Sequence, residues 1–213
     1  MKKKLLVTCL TCVTLSAGPA LAATMYIDAS LGYNKVSDAD HFVTNGSGAV
    51  KGHLEYDMSF FTSGALGIDF GKFRVEGEIG YAASDFVETS PYLVRMGAFD
   101  GQMTSSSVML NGYFDSETNS RFTPYVGLGF GFTSLDFTYT DYYSGGNAVK
   151  SDDLVMAHQV MVGLEVAVNP SMSVSAEYRY FGATDPSFTN DFGETLDTEY
   201  KSNMIVGSVK FAL

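Results

Sequence analysis

Beyond its first two dozen residues the chain keeps repeating one pattern. Apolar and polar residues alternate with a period of two, in segments long enough to cross a lipid bilayer as strands. Within 56–70 the even positions Met58, Phe60, Leu66, Ile68 and Phe70 are apolar, while the odd ones include Ser59, Ser63, Gly67 and Asp69. Within 153–168 the even face is Leu154, Met156, Val160, Val162, Leu164, Val166 and Val168, set against Gln159, Gly163 and Glu165. Successive side chains of a strand point to opposite faces, so each segment makes a sheet with one greasy side. The same test predicts eight strands, at about 24–35, 56–70, 73–85, 103–115, 122–139, 153–168, 172–182 and 198–213.

The connections between these segments alternate in length. Residues 71–72, 116–121 and 169–171 are short turns, whereas 36–55, 86–102, 140–152 and 183–197 are long loops. Short turns at one end and long loops at the other are the arrangement of an outer-membrane barrel, with the turns in the periplasm and the loops outside. Gly71-Lys72 reads as a two-residue hairpin turn in which Gly supplies a positive φ. That register sets Asp69 opposite Arg74 and predicts an ion pair between them on the face away from lipid. The second long loop holds Tyr92-Leu93-Val94-Arg95-Met96-Gly97-Ala98-Phe99, an apolar run that reads as packing over the barrel mouth rather than as a contact patch.

The first residues set the compartment. Lys2, Lys3 and Lys4 precede an apolar stretch from residue 5 to residue 17, and Ala20-Leu21-Ala22 is a small-x-small cleavage site. Residues 1–22 are read as a secretory signal peptide and 23–213 as one barrel domain. Both cysteines, Cys9 and Cys12, fall in the signal, so no disulfide or thiol chemistry is expected in the mature protein. The remainder has ten basic residues against 24 acidic ones, a net charge of −14, which argues against nucleic acid as a partner. No later stretch is long and apolar enough for a transmembrane helix, and 22 Gly, 13 Tyr and 16 Phe suit twisted sheet better than helix.

Alternation alone does not say which face meets lipid, because a soluble ligand-binding barrel has the same period turned inside out. The signal, the loop asymmetry and the chain end favour lipid outside. At that end Ile205, Val209, Phe211 and Leu213 form an apolar stripe on a strand placed to close against the first. The interior would then hold Asp28, Asp69, Arg74, Glu76, Glu78, Glu165, Glu177, Arg179 and Lys210. Both signs are present, and in a narrow barrel such groups pair and fill the lumen. Asp28 is expected to pair with Lys210, and Glu76, Glu78 and Glu177 to surround Arg179 in a higher layer. The four loops, counted over 36–55, 85–102, 140–153 and 183–197, hold 13 acids and three bases, an acidic rim. Divalent cations bridging that rim to lipopolysaccharide phosphates are the sharper reading, but no Asp spacing matches a calcium loop.

Four segments carry a family resemblance: Phe73-Arg74-Val75-Glu76-Gly77-Glu78-Ile79-Gly80-Tyr81, Met109-Leu110-Asn111-Gly112-Tyr113-Phe114-Asp115, Thr123-Pro124-Tyr125-Val126-Gly127-Leu128-Gly129-Phe130-Gly131 and Ala176-Glu177-Tyr178-Arg179-Tyr180-Phe181. In order and spacing they resemble the strand signatures of opacity-type and OmpA-like outer-membrane proteins, including surface antigens of intracellular alphaproteobacteria. The resemblance implies an all-β, eight-stranded, antiparallel up-and-down transmembrane barrel in the bacterial outer membrane, inserted by the barrel-assembly machinery. It implies surface loops acting as adhesins or antigens, with outer-membrane lipid, lipopolysaccharide and a host-surface ligand as partners. The family's insertion signal ends on an aromatic residue; here Leu213 is last and Phe211 stands two residues in, with the stripe in phase. No peptidoglycan-binding domain follows the barrel, so cell-wall anchoring is not expected.

Enzyme chemistry finds little support. The histidines are His41 and His53, in the first long loop, and His158, in the apolar phase of its strand. There is no Gly-x-Ser-x-Gly elbow and no histidine-rich metal set, and Gly127, Gly129 and Gly131 lack the Lys-Ser/Thr end of a phosphate loop. No catalytic residue, metal or cofactor is expected. The preferred function is a surface barrel with a structural, adhesive or antigenic role and a lumen plugged by charged side chains. A small ion-conducting porin is the alternative, and a soluble periplasmic ligand-binding barrel a second one.

Overall fold

The computed structural model describes residues 23–37, 39–45, 48–56, 58–88, 100–116, 118–141, 147–184, 187–189, 195–197 and 200–213; the predicted export signal and the apolar run 92–99 lie outside them. The described elements are all strands: β1 (Thr24–Val36), β2 (Ala39–Asn45), β3 (Gly48–Tyr56), β4 (Ser59–Asp69), β5 (Phe73–Glu88), β6 (Asp100–Asp115), β7 (Phe122–Asp141), β8 (Asn147–Asn169), β9 (Met172–Ala183), β10 (Ser187–Thr189), β11 (Thr195–Asp197) and β12 (Tyr200–Ala212). Eight of them, β1, β4, β5, β6, β7, β8, β9 and β12, form an antiparallel barrel closed by β12 against β1, from Tyr26 opposite Ala212 to Val36 opposite Ser202. Closure leaves the membrane-crossing sheet no free edge, the condition for a strand structure in lipid.

The register fixes the width of the barrel. Following hydrogen-bonded partners from Asp28 through Ala65, Glu78, Met109 and Gly131 arrives on β8 at Ala157. The opposite way round, through Lys210 and Ser173, arrives on β8 at Ala167, ten residues further along. Eight strands with a shear of ten residues close with a tilt of about 40° and a backbone radius of about 8 Å. Such a cylinder is just wide enough for its own side chains.

The alternation resolves as polar or small side chains inward and apolar ones outward. On β5 Phe73, Val75, Ile79 and Tyr81 are exposed while Arg74, Glu76 and Glu78 are buried. The outward surface is the lipid-facing one, which removes the soluble-barrel alternative: Leu31, Leu66, Ile79, Leu110, Leu128 and Val162 are all exposed. Aromatic residues bound this band. Phe73 packs edge-on against Phe114 at 5.3 Å near the turns, and Tyr33 lies 5.2 Å from Phe60 near the other end. From Phe73 to Tyr81 the tilted strand climbs about 20 Å, close to the height of an outer-membrane apolar band. Leu110 pairs with Gly77, midway between those levels. Leu110→Arg should therefore lower the stability of the barrel folded into vesicles by ~2–4 kcal/mol, and Phe114→Arg by about 1 kcal/mol or less. Urea titrations read by gel mobility without boiling check this; equal losses at both depths would contradict the assigned band.

The turn at the base is the one expected. Gly71 has φ 91°, Phe70 N donates to Phe73 O at 2.8 Å, and Asp69 stands opposite Arg74. A positive φ is open to Gly without the Cβ clash that other residues meet.

The long connections differ from expectation. Residues 36–55, read as a loop, contain the β2–β3 hairpin, and β3 joins the top of β5 from Leu54 opposite Glu88 to Tyr56 opposite Phe86. β11 pairs with β2, and β10 with β11. The hairpin of β7 and β8 stays paired up to Asp141 and Asn147, so most of the predicted 140–152 loop is strand. A crossing needs only about 9–11 residues per strand; β7 has 20 and β8 has 23. Above the lipid a backbone still has donors and acceptors to satisfy, and the rim of the barrel supplies a ready partner strand.

Candidate functional site

The lumen is the part of the molecule where chemistry-bearing side chains converge. Near the turns, Arg74 makes a bidentate contact with Asp115, Nε to Oδ2 at 2.7 Å and Nη2 to Oδ1 at 2.9 Å, and its Nη1 lies 3.4 Å from Glu165 Oε2. Lys210 Nζ donates to that same Glu165 oxygen at 2.7 Å. One group thereby ties β5, β6, β8 and β12 together across the lumen. The Arg74 guanidinium also sits over the rings of Tyr113 and Tyr125, at 4.7 and 5.0 Å, a cation–π arrangement.

The second group lies one layer higher. Arg179 Nε donates to Glu177 Oε1 at 2.8 Å, and Nη1 to both oxygens of Glu78, at 2.8 and 3.0 Å. Gln159 Nε2 donates to Asn111 Oδ1 at 2.7 Å, and phenols cover the remaining carboxylates. Tyr26 donates to Glu76 Oε2 at 2.9 Å, Tyr113 to Glu76 Oε1 at 3.3 Å, and Tyr125 to Glu177 Oε2 at 3.0 Å. These rings fit because each tyrosine faces a glycine on the next strand: Tyr26 faces Gly67, Tyr113 faces Gly127 and Tyr125 faces Gly163. A Cβ on any of those glycines would collide with the facing ring.

Two predicted pairs are not formed. Asp69 does not engage Arg74; its Oδ1 accepts from the Gly71 amide at 2.7 Å and braces the turn, while Arg74 turns to Asp115 and Glu165. Asp28 stands opposite Lys210 in register, yet Lys210 reaches Glu165, and Asp28 Oδ1 accepts from Ser30 Oγ at 2.8 Å. Arg179 does pair with Glu78 and Glu177, but Glu76 is held by the two phenols instead.

Sequence reasoning missed Asp115, although it is in phase with Asn111 and Tyr113, both buried on the same face of β6. It also missed an apolar stopper above the charges. Phe61, Met109, Leu135, Phe181, Met204 and Val206 point inward and belong to one buried cluster. Between the two charged groups a cavity of about 20 Å³ remains, lined by Asp28, Glu76, Glu78, Glu165, Glu177 and their cationic partners. That is room for about one water molecule.

Elsewhere, Ile205, Phe211 and Leu213 of the terminal stripe are exposed on the lipid face, and Val209 is half-buried among them. Leu213 N donates to Met25 O at 2.8 Å, so strand pairing runs to the last residue. His158 faces outward with its ring against Gly182, while the side chains of His41 and His53 lie outside the described residues.

Residues 5–211 match the outer membrane protein beta-barrel domain family. Outer membrane protein PagN of Salmonella typhimurium is 24% identical over 116 residues, which is 53% of this chain and 48% of PagN, so the match spans about half of that relative. Among solved structures, Neisserial surface protein A superposes with a TM-score of 0.54 at 16% identity, over 90% of this chain and 99% of its own. The outer membrane protease OmpT of Escherichia coli superposes with a TM-score of 0.54 at 13% identity, over 94% of this chain and 99% of its own. Identities this low carry the fold and not the activity.

Proposed function

The chain belongs to the outer membrane protein beta-barrel domain family and resides in the bacterial outer membrane, and from that premise we propose that it is a closed-lumen surface protein whose projecting hairpins make contact outside the cell. The observation that supports this reading is the pair of ion groups that cross the lumen. The two groups leave about 20 Å³ between them, next to an apolar cluster, and in this reading the barrel interior is a pedestal for the hairpins. Paired strands then carry the β7–β8 hairpin about 20 Å beyond the lipid band. With 13 acids against three bases in the connecting regions, a basic patch on a host-surface ligand is the complementary partner chemistry. In this reading the barrel performs no catalysis.

A small cation-conducting pore is the second reading. It is favoured by six carboxylates, Asp28, Glu76, Glu78, Asp115, Glu165 and Glu177, that among the described residues share the interior with Arg74, Arg179 and Lys210.

One pair of proteins separates them: the full chain and a variant in which residues 137–151 are replaced by an Asn-Gly turn. In planar bilayers both should be electrically silent, and cells displaying the shortened barrel should lose most of their attachment to host cells. Reproducible charge-selective conductance that disappears on neutralising Arg179 would replace this reading by the porin one. Undiminished attachment would remove the hairpin from the proposed contact surface.

A further inference from the structure

Strand β8 outruns its neighbour on one side. From Ala157 downward it is paired on both flanks, with β7 and with β9. Above that point β7 accompanies it to Asn147, but β9 leaves after Ala183, and the last bond across this flank runs from Thr184 N to Met156 O at 2.9 Å. Among the described residues the stretch from Asn147 to Val155 is therefore paired with β7 alone. β10 passes alongside it, but pairs with β11 and not with β8.

The parity of the ladder fixes which groups this edge offers. In an antiparallel pair the N–H and C=O of one residue point to the same side, and successive residues alternate sides. Met156 turns its carbonyl to the β9 flank. Leu154, Asp152, Lys150 and Ala148 therefore present their backbone donors and acceptors to the open flank, while Val155 and the other odd positions serve β7. Such a row is a template for another strand. Leu154 stands twelve residues above Val166, the partner of Phe122 at the lower aromatic level. At a tilt of about 40° that is about 30 Å, beyond the apolar band of about 25 Å. The edge thus lies in water, yet Leu154 is exposed on it. Asp152, also exposed, stands directly opposite Asp136 of β7, and like charges so placed repel.

We propose that the open flank of β8 above Met156 binds an extended, basic segment of a partner protein as an added strand. Backbone groups of the segment satisfy the even residues of β8, and an apolar side chain covers Leu154. A Lys or Arg two positions along, on the same face, sits against Asp152 and relieves its repulsion with Asp136. The connecting regions as a whole, with 13 acids against three bases, favour the same sign of partner. β10 is held to β11 by three register pairs, from Ser187 opposite Asp197 to Thr189 opposite Thr195, so the incoming segment displaces little to reach the edge. This inference names the chemistry of the hairpin contact proposed above and rests on that reading for its setting at the cell surface.

The test uses the full barrel in nanodiscs and two fluorescent nine-residue peptides. One has threonine at odd positions with valine and lysine alternating between them; the other has glutamate in place of lysine. The lysine peptide should bind at least about tenfold more tightly and should slow hydrogen exchange at the amides of Ala148, Asp152 and Leu154. Ala148→Pro with Leu154→Pro removes edge donors without touching the β7 ladder and should weaken the lysine peptide at least about tenfold. Ala148→Ser with Leu154→Val keeps those donors and should bind as the parent does. Asp136→Asn with Asp152→Asn should remove the preference for lysine over glutamate. Heat-modifiable gel migration of each variant confirms that the barrel is folded. Equal binding of the two peptides by the parent, or unchanged binding by the proline variant, would overturn the proposal. So would a second copy of the barrel occupying the edge, seen as a dimer that the proline variant cannot form. Cell attachment is read separately: undiminished attachment with the shortened hairpin ends the adhesive reading, while peptide binding still decides the edge site.

Discussion

Arg179→Met should be among the most damaging single substitutions in the lumen, lowering stability in vesicles by ~3–5 kcal/mol, the usual cost of orphaning buried ionic partners. Arg179 is 3% exposed, and its side chain pairs with Glu177 and Glu78, at 2.8 Å each, beside a cavity with room for about one water molecule. Methionine restores the volume but not the charge, so two carboxylates face each other in a poorly solvated space. Arg74→Met should cost less, because Lys210 remains on Glu165. The decisive comparison is the variant combining Arg179→Met with Glu78→Gln and Glu177→Gln. Removing the charges together leaves amides that still accept from Tyr125, so this variant should recover most of the loss. Strong non-additivity of this kind identifies groups that act as one network. Urea midpoints by heat-modifiable migration measure all of these. A triple variant whose loss equals the sum of the separate losses would show that the arginine and its acids are not coupled.

What could be read from the sequence, and what could not, divides along a physical line. The period of two is a local property, so all eight barrel strands and the turn at Gly71 were legible, as was the inward face of β5 at Arg74, Glu76 and Glu78. Ion-pair partners were legible around Arg179, with Glu78 and Glu177, but not around Arg74 and Lys210, where they depend on the width of the cylinder. In a sheet of about 8 Å radius a long side chain reaches past its neighbour to a strand two or three places away, which is how Lys210 bypasses Asp28 for Glu165 and how Arg74 reaches that same Glu165. The main partner of Arg74, Asp115, lies on β6, the neighbour on the side away from Asp69. The apolar stopper was hidden for a different reason. Met109, Leu135 and Met204 sit in the inward phase among Ser, Gly and Thr, where the rule of polar inside and apolar outside gives them no place. Asp115 carried the right phase but lay at the end of its strand, where the pattern has no further residue to confirm it. The paired projections at β2–β3 and β7–β8 escaped because turn-rich composition marks where a hairpin bends and not how far its strands run.

Gly131→Ala should prevent the barrel from closing properly, at a cost of about 3 kcal/mol or more, the upper end for an overpacked interior. On β7 the glycines at 127, 129 and 131 all face inward, but their surroundings differ in how far they can give way. At Gly127 an added methyl meets the Tyr113 ring and the end of the Met161 side chain at 2.9 Å, and the methionine can move. At Gly131 it meets backbone: the Val108 carbonyl oxygen and, at 2.8 Å, the Met109 Cα of the neighbouring β6. A side chain can change rotamer, whereas a paired strand has to shift against all its hydrogen bonds, and β6 and β7 are paired without interruption from Gly101 opposite Tyr139 to Asp115 opposite Tyr125. The loss should therefore appear as failure of the β6–β7 pairing, with a reduced folded fraction after dilution into vesicles. Gly77→Ala and Gly112→Ala make the same chemical change on the lipid face, where nothing lies within 4 Å, and they should fold as well as the parent. If all three variants fold equally well, the close approach of β6 to Gly131 is not what fixes the shape of the lumen; if only Gly131→Ala fails, the inward glycines of β7 are what let so narrow a cylinder hold two layers of ion pairs.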